Sequence, residues 1–598
     1  MADFAFTSER LVLPGWQPIG RCGDRVISVD MSRPTPHPCT HVVRHGICCV
    51  VLSQVSTAQD VLEAIAELGT NFVDGLRVAA GMVIHLETGE FCVFRDPFGF
   101  IPMLVTLDED GGVSAVTSSP EVHAQSVAGR PLNRAWMARF LLNSQASDVD
   151  DVWQNTERIF PGESRFYTQY GAQKFCRDVL DGSSDNKTWS KKRLTFESNQ
   201  YWKRRHYKPL AMTTAEYAEA LRQHIVSAVD KIPASNPYFT LSGGLDSSGI
   251  VASYLLHHHD EPVVHAVSLV SRRHAQCDES PQLDELERAF PTLCLRRVVM
   301  DDAWALSQPE INAPFAGYGP LSSPGIESVL EGYRAIEREC GPQTIITGYG
   351  GNFLVTVRPE ALWRELWQHH RFAALLSELD ALSPDTVLSM IKRFLGNAGH
   401  GFLSPWFKKV LSHHSRRHAH RAESWVNPSL LCLVPREDPV YALTHIEERA
   451  WLPLSNDWEM HVRCLDVIAR LVPHRFYDPL FEPELYDFCA QIPPREFLRQ
   501  GRYRDLYIRA LSPLLPRAIL EHPKTQCFDD LFLDGLCVRA KSECLELVRH
   551  APREWLIPER LFQSYQAFSD TSPMAPRVGL MPVWRALSAS LFCRRYHL

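Results

Sequence analysis

Tyr238-Phe239-Thr240-Leu241-Ser242-Gly243-Gly244-Leu245-Asp246-Ser247-Ser248-Gly249 is the stretch from which the fold is read. A short apolar strand runs directly into Ser-Gly-Gly, and a helix follows. Ile250, Val251, Tyr254 and Leu255 recur on one face of that helix, so it packs on a sheet. Around it the chain alternates. Tyr238–Leu241, Val263–Val270, Arg296–Val299 and Thr344–Thr347 read as strands, with Val251–His258 and Leu283–Phe290 helical between them. Alternating strands and helices imply a parallel sheet with crossover helices. The Ser-Gly-Gly loop then lies at the carboxyl end of a strand, where open α/β sheets bind ligands.

Each residue type in the loop has a physical use. Gly243 and Gly244 let backbone N–H groups approach an anion with no Cβ in the way. The helix that follows aims its positive end at the same point. Ser242, Ser247 and Ser248 add hydroxyl donors, and Leu245 enters the helix. Asp246 is an acid where phosphates would be held, which makes sense if it binds Mg²⁺. The Gly-Lys-Ser/Thr ending of a Walker loop is missing, so this is not a loop for γ-phosphate transfer.

Upstream, Arg25–Val29, Ile47–Leu52, Arg77–His85 and Glu90–Arg95 read as strands separated by turns such as Glu87-Thr88-Gly89. Ala58–Leu68 and Arg134–Leu142 read as helices. Residues 178–199 are polar and rich in Gly, Ser, Asn and Lys, as a linker would be. The expected organisation is a first domain over 1–185, a linker over 186–211 and a second domain over 212–598. Beyond about residue 355 the pattern is mainly helical, and no solenoid-type repeat is present.

The 598 residues carry a formal charge of −8, with 45% hydrophobic and 22% charged residues. That balance excludes bulk disorder and collagen-like repeats. The mild acidity argues against a nucleic-acid partner. No apolar run is long enough to span a bilayer, and no signal peptide is evident. The 16 cysteines include no C-x-x-C pair. They read as buried small hydrophobes in a reducing, cytoplasmic setting. Trp406–Arg421 is basic and rich in histidine; it reads as a solvated face or as a docking surface for an acidic peptide or phosphates.

The Ser-Gly-Gly-Leu-Asp-Ser-Ser string resembles the signature of the ATP-pyrophosphatase (PP-loop) enzymes. The chain is more closely similar to their asparagine-synthetase-like branch, over nearly its whole length. Arg95-Asp96-Pro97-Phe98-Gly99-Phe100-Ile101-Pro102 looks like the Arg-Asp-x-x-Gly-x-x-Pro element of the glutaminase domain. Ser118-Ser119-Pro120-Glu121, Arg158-Ile159-Phe160-Pro161-Gly162 and Tyr201-Trp202 fall where that branch has similar motifs. Working glutaminases of this type use a Cys at position 2, and here Ala2 stands there. The expected fold is therefore α/β and α+β. A glutaminase-like (Ntn-hydrolase-like) sandwich without its Cys nucleophile precedes a parallel-sheet PP-loop synthetase domain with a helical C-terminal part.

The resemblance also implies a site. Thr347-Gly348-Tyr349-Gly350-Gly351-Asn352 looks like the branch's Gly-x-Gly-x-Asp element, whose Asp is its second Mg²⁺ ligand. Here Asn352 replaces it, so metal binding is weaker or another acid such as Asp278 or Glu279 contributes. Thr347 and Gly348 join the nucleotide-binding set. Tyr349 sits where β-lactam-forming relatives carry a Tyr that acts on the amine with a Glu; a core or ATP-stacking aromatic is the other reading. Arg475-Phe476-Tyr477-Asp478-Pro479-Leu480 resembles a Pro-Phe-x-Asp segment, and Gly501–Arg509 a basic helix start. Lys524, in Pro523-Lys524-Thr525-Gln526, matches the lysine that neutralises pyrophosphate and the tetrahedral intermediate.

With no glutaminase, the amine has another source. The resemblance offers a lasso-peptide macrolactam synthetase, a β-lactam or carbapenam synthetase, or an ammonia-dependent asparagine-synthetase-like amide synthetase. Gly-Gly-Asn sits nearer to the Gly-Gly-Asp of lasso cyclases than to the Gly-Ser-Asp of the others. The implied cofactors are ATP and Mg²⁺. The implied partners are a precursor peptide, a leader peptidase and a leader-binding domain. A non-catalytic scaffold that binds ATP or peptide is the alternative from outside enzymology.

Overall fold

Runs of alternately placed apolar residues build two antiparallel sheets in the first part of the chain. One follows the order β10-β8-β9-β1-β3-β2 and the other β12-β11-β7-β6-β5-β4. Their strands are β1 (Asp3–Ser8), β2 (Gln17–Cys22), β3 (Arg25–Asp30), β4 (Cys39–Arg44), β5 (Ile47–Ser53), β6 (Ala79–His85), β7 (Phe91–Arg95), β8 (Leu104–Leu107), β9 (Val113–Thr117), β10 (Thr156–Arg158), β11 (Glu163–Thr168) and β12 (Thr195–Gln200). This computed structural model describes residues 3–8, 16–22, 25–30, 38–44, 46–53, 56–144, 148–181, 195–233, 236–258, 263–308, 311, 317–320, 322–380, 424–435, 443, 445–522, 528–570 and 579–597.

The sheets stack face to face through Phe4, Phe6, Ile27 and Val29 on one and Cys48, Val50, Met82 and Val93 on the other. The intervening residues Cys49, Val51, Val83 and Cys92 point outward, beneath the helices Ala58–Leu68 and Ala172–Asp181. Ile47–Leu52 is therefore buried on both faces, which explains its unbroken apolar run. A reciprocal capping box between Thr57 and Asp60 fixes the start of the first helix. The helices Ala58–Leu68 and Arg134–Leu142 have the bounds expected from sequence. β12 falls within 186–211, the expected linker, and pairs along the full length of β11. The sheet thus extends past residue 185. Thr195–Gln200 is mostly polar because it is an edge strand, so it carries little apolar periodicity.

The second sheet region is parallel, in the order β15-β14-β13-β16-β17. Its strands are β13 (Tyr238–Thr240), β14 (Val264–Val270), β15 (Leu293–Val299), β16 (Thr344–Ile346) and β17 (Arg475–Tyr477). The four expected strands are present, and β15 begins three residues earlier than expected. The fifth strand, β17, is not among those expected; it is three residues long and interrupts a mainly helical stretch. The helix after β13 spans Leu245–His257 and includes the turn that the sequence reading left outside. Gly, Ser and Asp are poor helix formers, but hydrogen bonds between the Ser242 backbone and the Ser247 and Ser248 hydroxyls hold this turn. β13 pairs with β14 on one side and β16 on the other. Strand order switches between β13 and β16, and the carboxyl ends of this pair border the candidate crevice.

Charge, as well as apolar surface, holds the two halves together. The helix Asn456–Leu471 places Glu459, Arg463, Asp466 and Arg470 on one face. Glu459 receives Arg95 at 3.0 Å and Arg463 at 3.0 Å, with Arg158 at 3.8 Å. Arg463 also reaches Asp151 at 2.8 Å. Arg470 grips Asp3, at the head of β1, with two hydrogen bonds of 2.7 and 3.0 Å. Burial alone would raise the Glu459 carboxyl; Arg95, Arg463 and Arg158 overturn that and hold it down at about 2. Beside this seam the Trp458 indole donates to the Phe98 carbonyl at 2.8 Å. The Phe98 ring packs among Trp202, Trp458, Phe481 and Tyr486.

Candidate functional site

The loop after β13 is tied by its own hydroxyls. The Ser242 N–H donates to Ser247 Oγ at 2.9 Å, and the Gly244 N–H donates to Ser242 Oγ at 3.2 Å. Ser248 is buried, and its hydroxyl donates to the Ser242 carbonyl at 3.2 Å. Ser248 thus holds the loop's shape, where the sequence reading made it a donor to the ligand. Gly243 is required sterically, because a Cβ there would stand 2.5 Å from Gln282 Cβ. The Gly243 N–H donates to Glu279 Oε2 at 3.1 Å. Gly244 is the N-cap and brings no side-chain cap, so the first turn of Leu245–His257 faces the crevice.

The loop after β16 lies directly on that turn, and two glycines make the approach possible. A Cβ on Gly348 would stand 3.0 Å from the Ser247 nitrogen, and one on Gly351 would stand 2.1 Å from Asp246 Oδ1. Asp478, at the end of β17, positions the same loop. It accepts from the Gly350 N–H at 2.9 Å, the Thr347 hydroxyl at 3.2 Å and the Leu480 N–H at 3.0 Å. Burial pushes its carboxyl up to about 7, against the pull of those three donors. Tyr349 is hydrogen-bonded to the buried Tyr333, and burial pushes its phenol up. Its ring lies 5.8 Å from that of His461. This packing is that of a core-anchored aromatic, the second of its two sequence readings.

The structure does bring Asp246 and Asn352 together, as the sequence analysis expects, but around a guanidinium. Arg504 Nη1 donates to both Asp246 oxygens at 2.9 Å, and its Nη2 donates to Asn352 Oδ1 at 2.7 Å. Arg504 precedes the helix Asp505–Leu511 with φ at +59°, a left-handed backbone that costs a side-chain-bearing residue about 1–2 kcal/mol. Asp246 and Asn352 were expected as Mg²⁺ ligands. The donor set does not fit a divalent ion: it offers one carboxylate and one neutral amide, and all three oxygens already accept from Arg504. Among the described residues no group of three or more His, Cys, Asp or Glu is placed to hold a metal. Lys524 and the basic run Trp406–Arg421 lie outside the described residues.

The first domain shows what has become of the motifs that resemble a glutaminase. Arg95 runs into the interdomain seam, and its Nη1 donates to the Ile159 carbonyl at 2.6 Å. Asp96 accepts from the Phe98 and Gly99 N–H groups at 3.0 Å each. Cys22, Cys39, Cys48, Cys49, Cys92 and Cys176, the described cysteines of this domain, are all buried. Burial pushes the Cys39 and Cys48 thiols up to about 12 and that of Cys176 up to about 11, and raises Cys49 and Cys92 far above the ordinary thiol range. A cavity of about 70 Å³ lies where the first region meets the second, lined by Asp96, Phe98, Phe100, Thr347, Asp478 and Glu482.

Sequence reasoning assigned no role to Arg504 or Asp478, and named Glu279 only as a spare metal acid. The signals were present in outline: Asp478 falls in the quoted Pro-Phe-x-Asp-like segment and Arg504 in the basic helix start. Nothing local says which acid an arginine meets.

Fold and site together define a parallel α/β chain with a glycine-rich anion cradle at the carboxyl edge of its sheet. This chain matches the asparagine synthase family over residues 220–541, more than half of its length, and belongs to that family. Membership indicates an ATP-dependent amide ligase. A search of curated proteins finds no match to the chain. Among the described residues no helix is long and apolar enough to cross a membrane.

Proposed function

We propose that this chain closes a lactam within a peptide. An Asp or Glu side chain of the peptide is adenylated, and the peptide's own N-terminal amine then displaces AMP. The observation that carries this reading is the condition of the cysteines in the first domain. Every described one is buried, and five of them have thiols raised by burial, so none is poised to release ammonia from glutamine. An amide ligase without that supply takes free ammonia or an amine carried by its acyl substrate, and our reading is the second. Joining the two within one molecule is worth about 7–11 kcal/mol of barrier when they are well oriented.

In this reading ATP supplies the adenylate leaving group. The Gly243 and Gly244 backbone and the N-terminus of Leu245–His257 receive its phosphates. Glu279 must then leave the Gly243 N–H, because an acid and a phosphate cannot share that donor. Lys524 meets the negative charge that develops as pyrophosphate leaves. Tyr349 keeps the second loop seated through Tyr333. The proposed partners are a precursor peptide, a leader peptidase and a leader-binding domain. The test uses the purified chain, ATP, MgCl₂ and the short peptide encoded beside it, freed of its leader. The expected products are AMP and a peptide lighter by one water. AMP without a dehydrated peptide would redirect the reading to small amino-acid substrates. Neither product from folded protein would refute it.

A further inference from the structure

We propose that the guanidinium of Arg504 takes the place of a divalent cation at this site, so that the chain binds the polyphosphate of ATP with no metal ion between Asp246 and Asn352. The proposal rests on the nucleotide reading above and departs from it only in the cation. Three observations carry it.

The first is charge. Asp246 is the one formal charge contributed by the Asp246–Asn352 pair, and a single guanidinium balances it. A divalent ion in the same place would have to displace Arg504, which is only 7% exposed, or sit against its positive charge. The second is the geometry of the fork. Two bonds of 2.9 Å to Asp246 and one of 2.7 Å to Asn352 use Nη1 and one hydrogen of Nη2. Nε–H and the second Nη2 hydrogen remain, and a planar guanidinium presents such a pair well to phosphate oxygens.

The third is rigidity. Gly351 lies so close to Asp246 that any Cβ would collide with its carboxylate. The left-handed backbone at Arg504 fixes where its side chain departs. Asp246 is therefore held between the loop of Gly351 on one side and Arg504 on the other. Asn352 is exposed, so the site is open to solvent at that point. An amide at this position keeps the hydrogen bond to Arg504 without adding a second negative charge.

The test is ATP binding by calorimetry, in excess EDTA and again in saturating MgCl₂. Wild-type protein is expected to bind ATP in both, with affinities within about threefold of each other. Asn352→Asp, at an exposed position that spares the fold, is expected to weaken binding in EDTA by at least about tenfold, with Mg²⁺ restoring it. Arg504→Met is expected to behave likewise, and Arg504→Lys to fall between, since it keeps the charge and loses the fork. Wild-type binding that needs Mg²⁺ would overturn the proposal and leave the nucleotide reading standing. Unchanged binding by Asn352→Asp in EDTA would overturn it too. No binding under either condition would overturn the nucleotide reading and this proposal with it.

Discussion

Replacing Glu459 with Gln tests whether the two halves are held by charge. The carboxylate is 2% exposed and faces the guanidiniums of Arg95, Arg463 and Arg158. Gln keeps the shape and removes the charge. Its fall from the ordinary 4.5 to about 2 corresponds to roughly 3 kcal/mol favouring the charged form in the folded state. Breaking one partner out of a buried ion pair costs about 3–5 kcal/mol by general experience, so the two figures agree. The sign follows from a folded pKa below the unfolded one. This stability is present above pH 4.5 and is lost as pH falls toward 2. Glu459→Gln should therefore be less stable by about 3 kcal/mol at pH 7, with the gap closing as pH falls toward 2. Urea unfolding followed by tryptophan fluorescence measures this, because Trp458 is bonded across the same seam. A loss below about 1 kcal/mol at pH 7, or a gap that does not change with pH, would refute the reasoning.

Other substitutions probe the site. Gly351→Ala would set a methyl 2.1 Å from Asp246 Oδ1, so the loops must move apart; it should lower thermal stability and weaken ATP binding by at least about tenfold, and undiminished calorimetric affinity in folded protein would show that the two loops need not touch. Asp478 has a raised carboxyl, so the native state holds its proton more tightly than the unfolded chain. Its contribution is full below 3.8 and is lost as pH rises through about 7. Comparing unfolding at pH 5 and pH 8 should show this loss in wild-type protein and a flatter profile in Asp478→Asn; identical slopes would count against it. Brief alkylation of native protein at pH 8 should label Cys294, Cys340 and Cys432, which are exposed, and spare Cys39, Cys48, Cys49, Cys92 and Cys176. Peptide mapping that finds rapid label on any of those five would remove the argument against glutaminase chemistry.

Sequence alone was enough to place the parallel sheet, the loop after β13 and the second loop at the same edge. Those features are written in local period and in glycines, which act over a few residues. It also set a first region of short strands apart from the strand–helix alternation that follows it. It missed β17, and in the first region β1, β2, β4 and β8 to β12; β12, for one, is a mostly polar edge strand with no apolar run to mark it. What only the tertiary structure decided is the pairing of charges. Arg504 lies 258 residues from Asp246 and 152 from Asn352, and the fold alone brings the three together. Glu459 likewise meets Arg95 across 364 residues. A charged residue looks the same in sequence whether it ends in solvent or in a dry seam. Its partner, its burial and hence its protonation follow from packing between distant segments, and no local pattern records them.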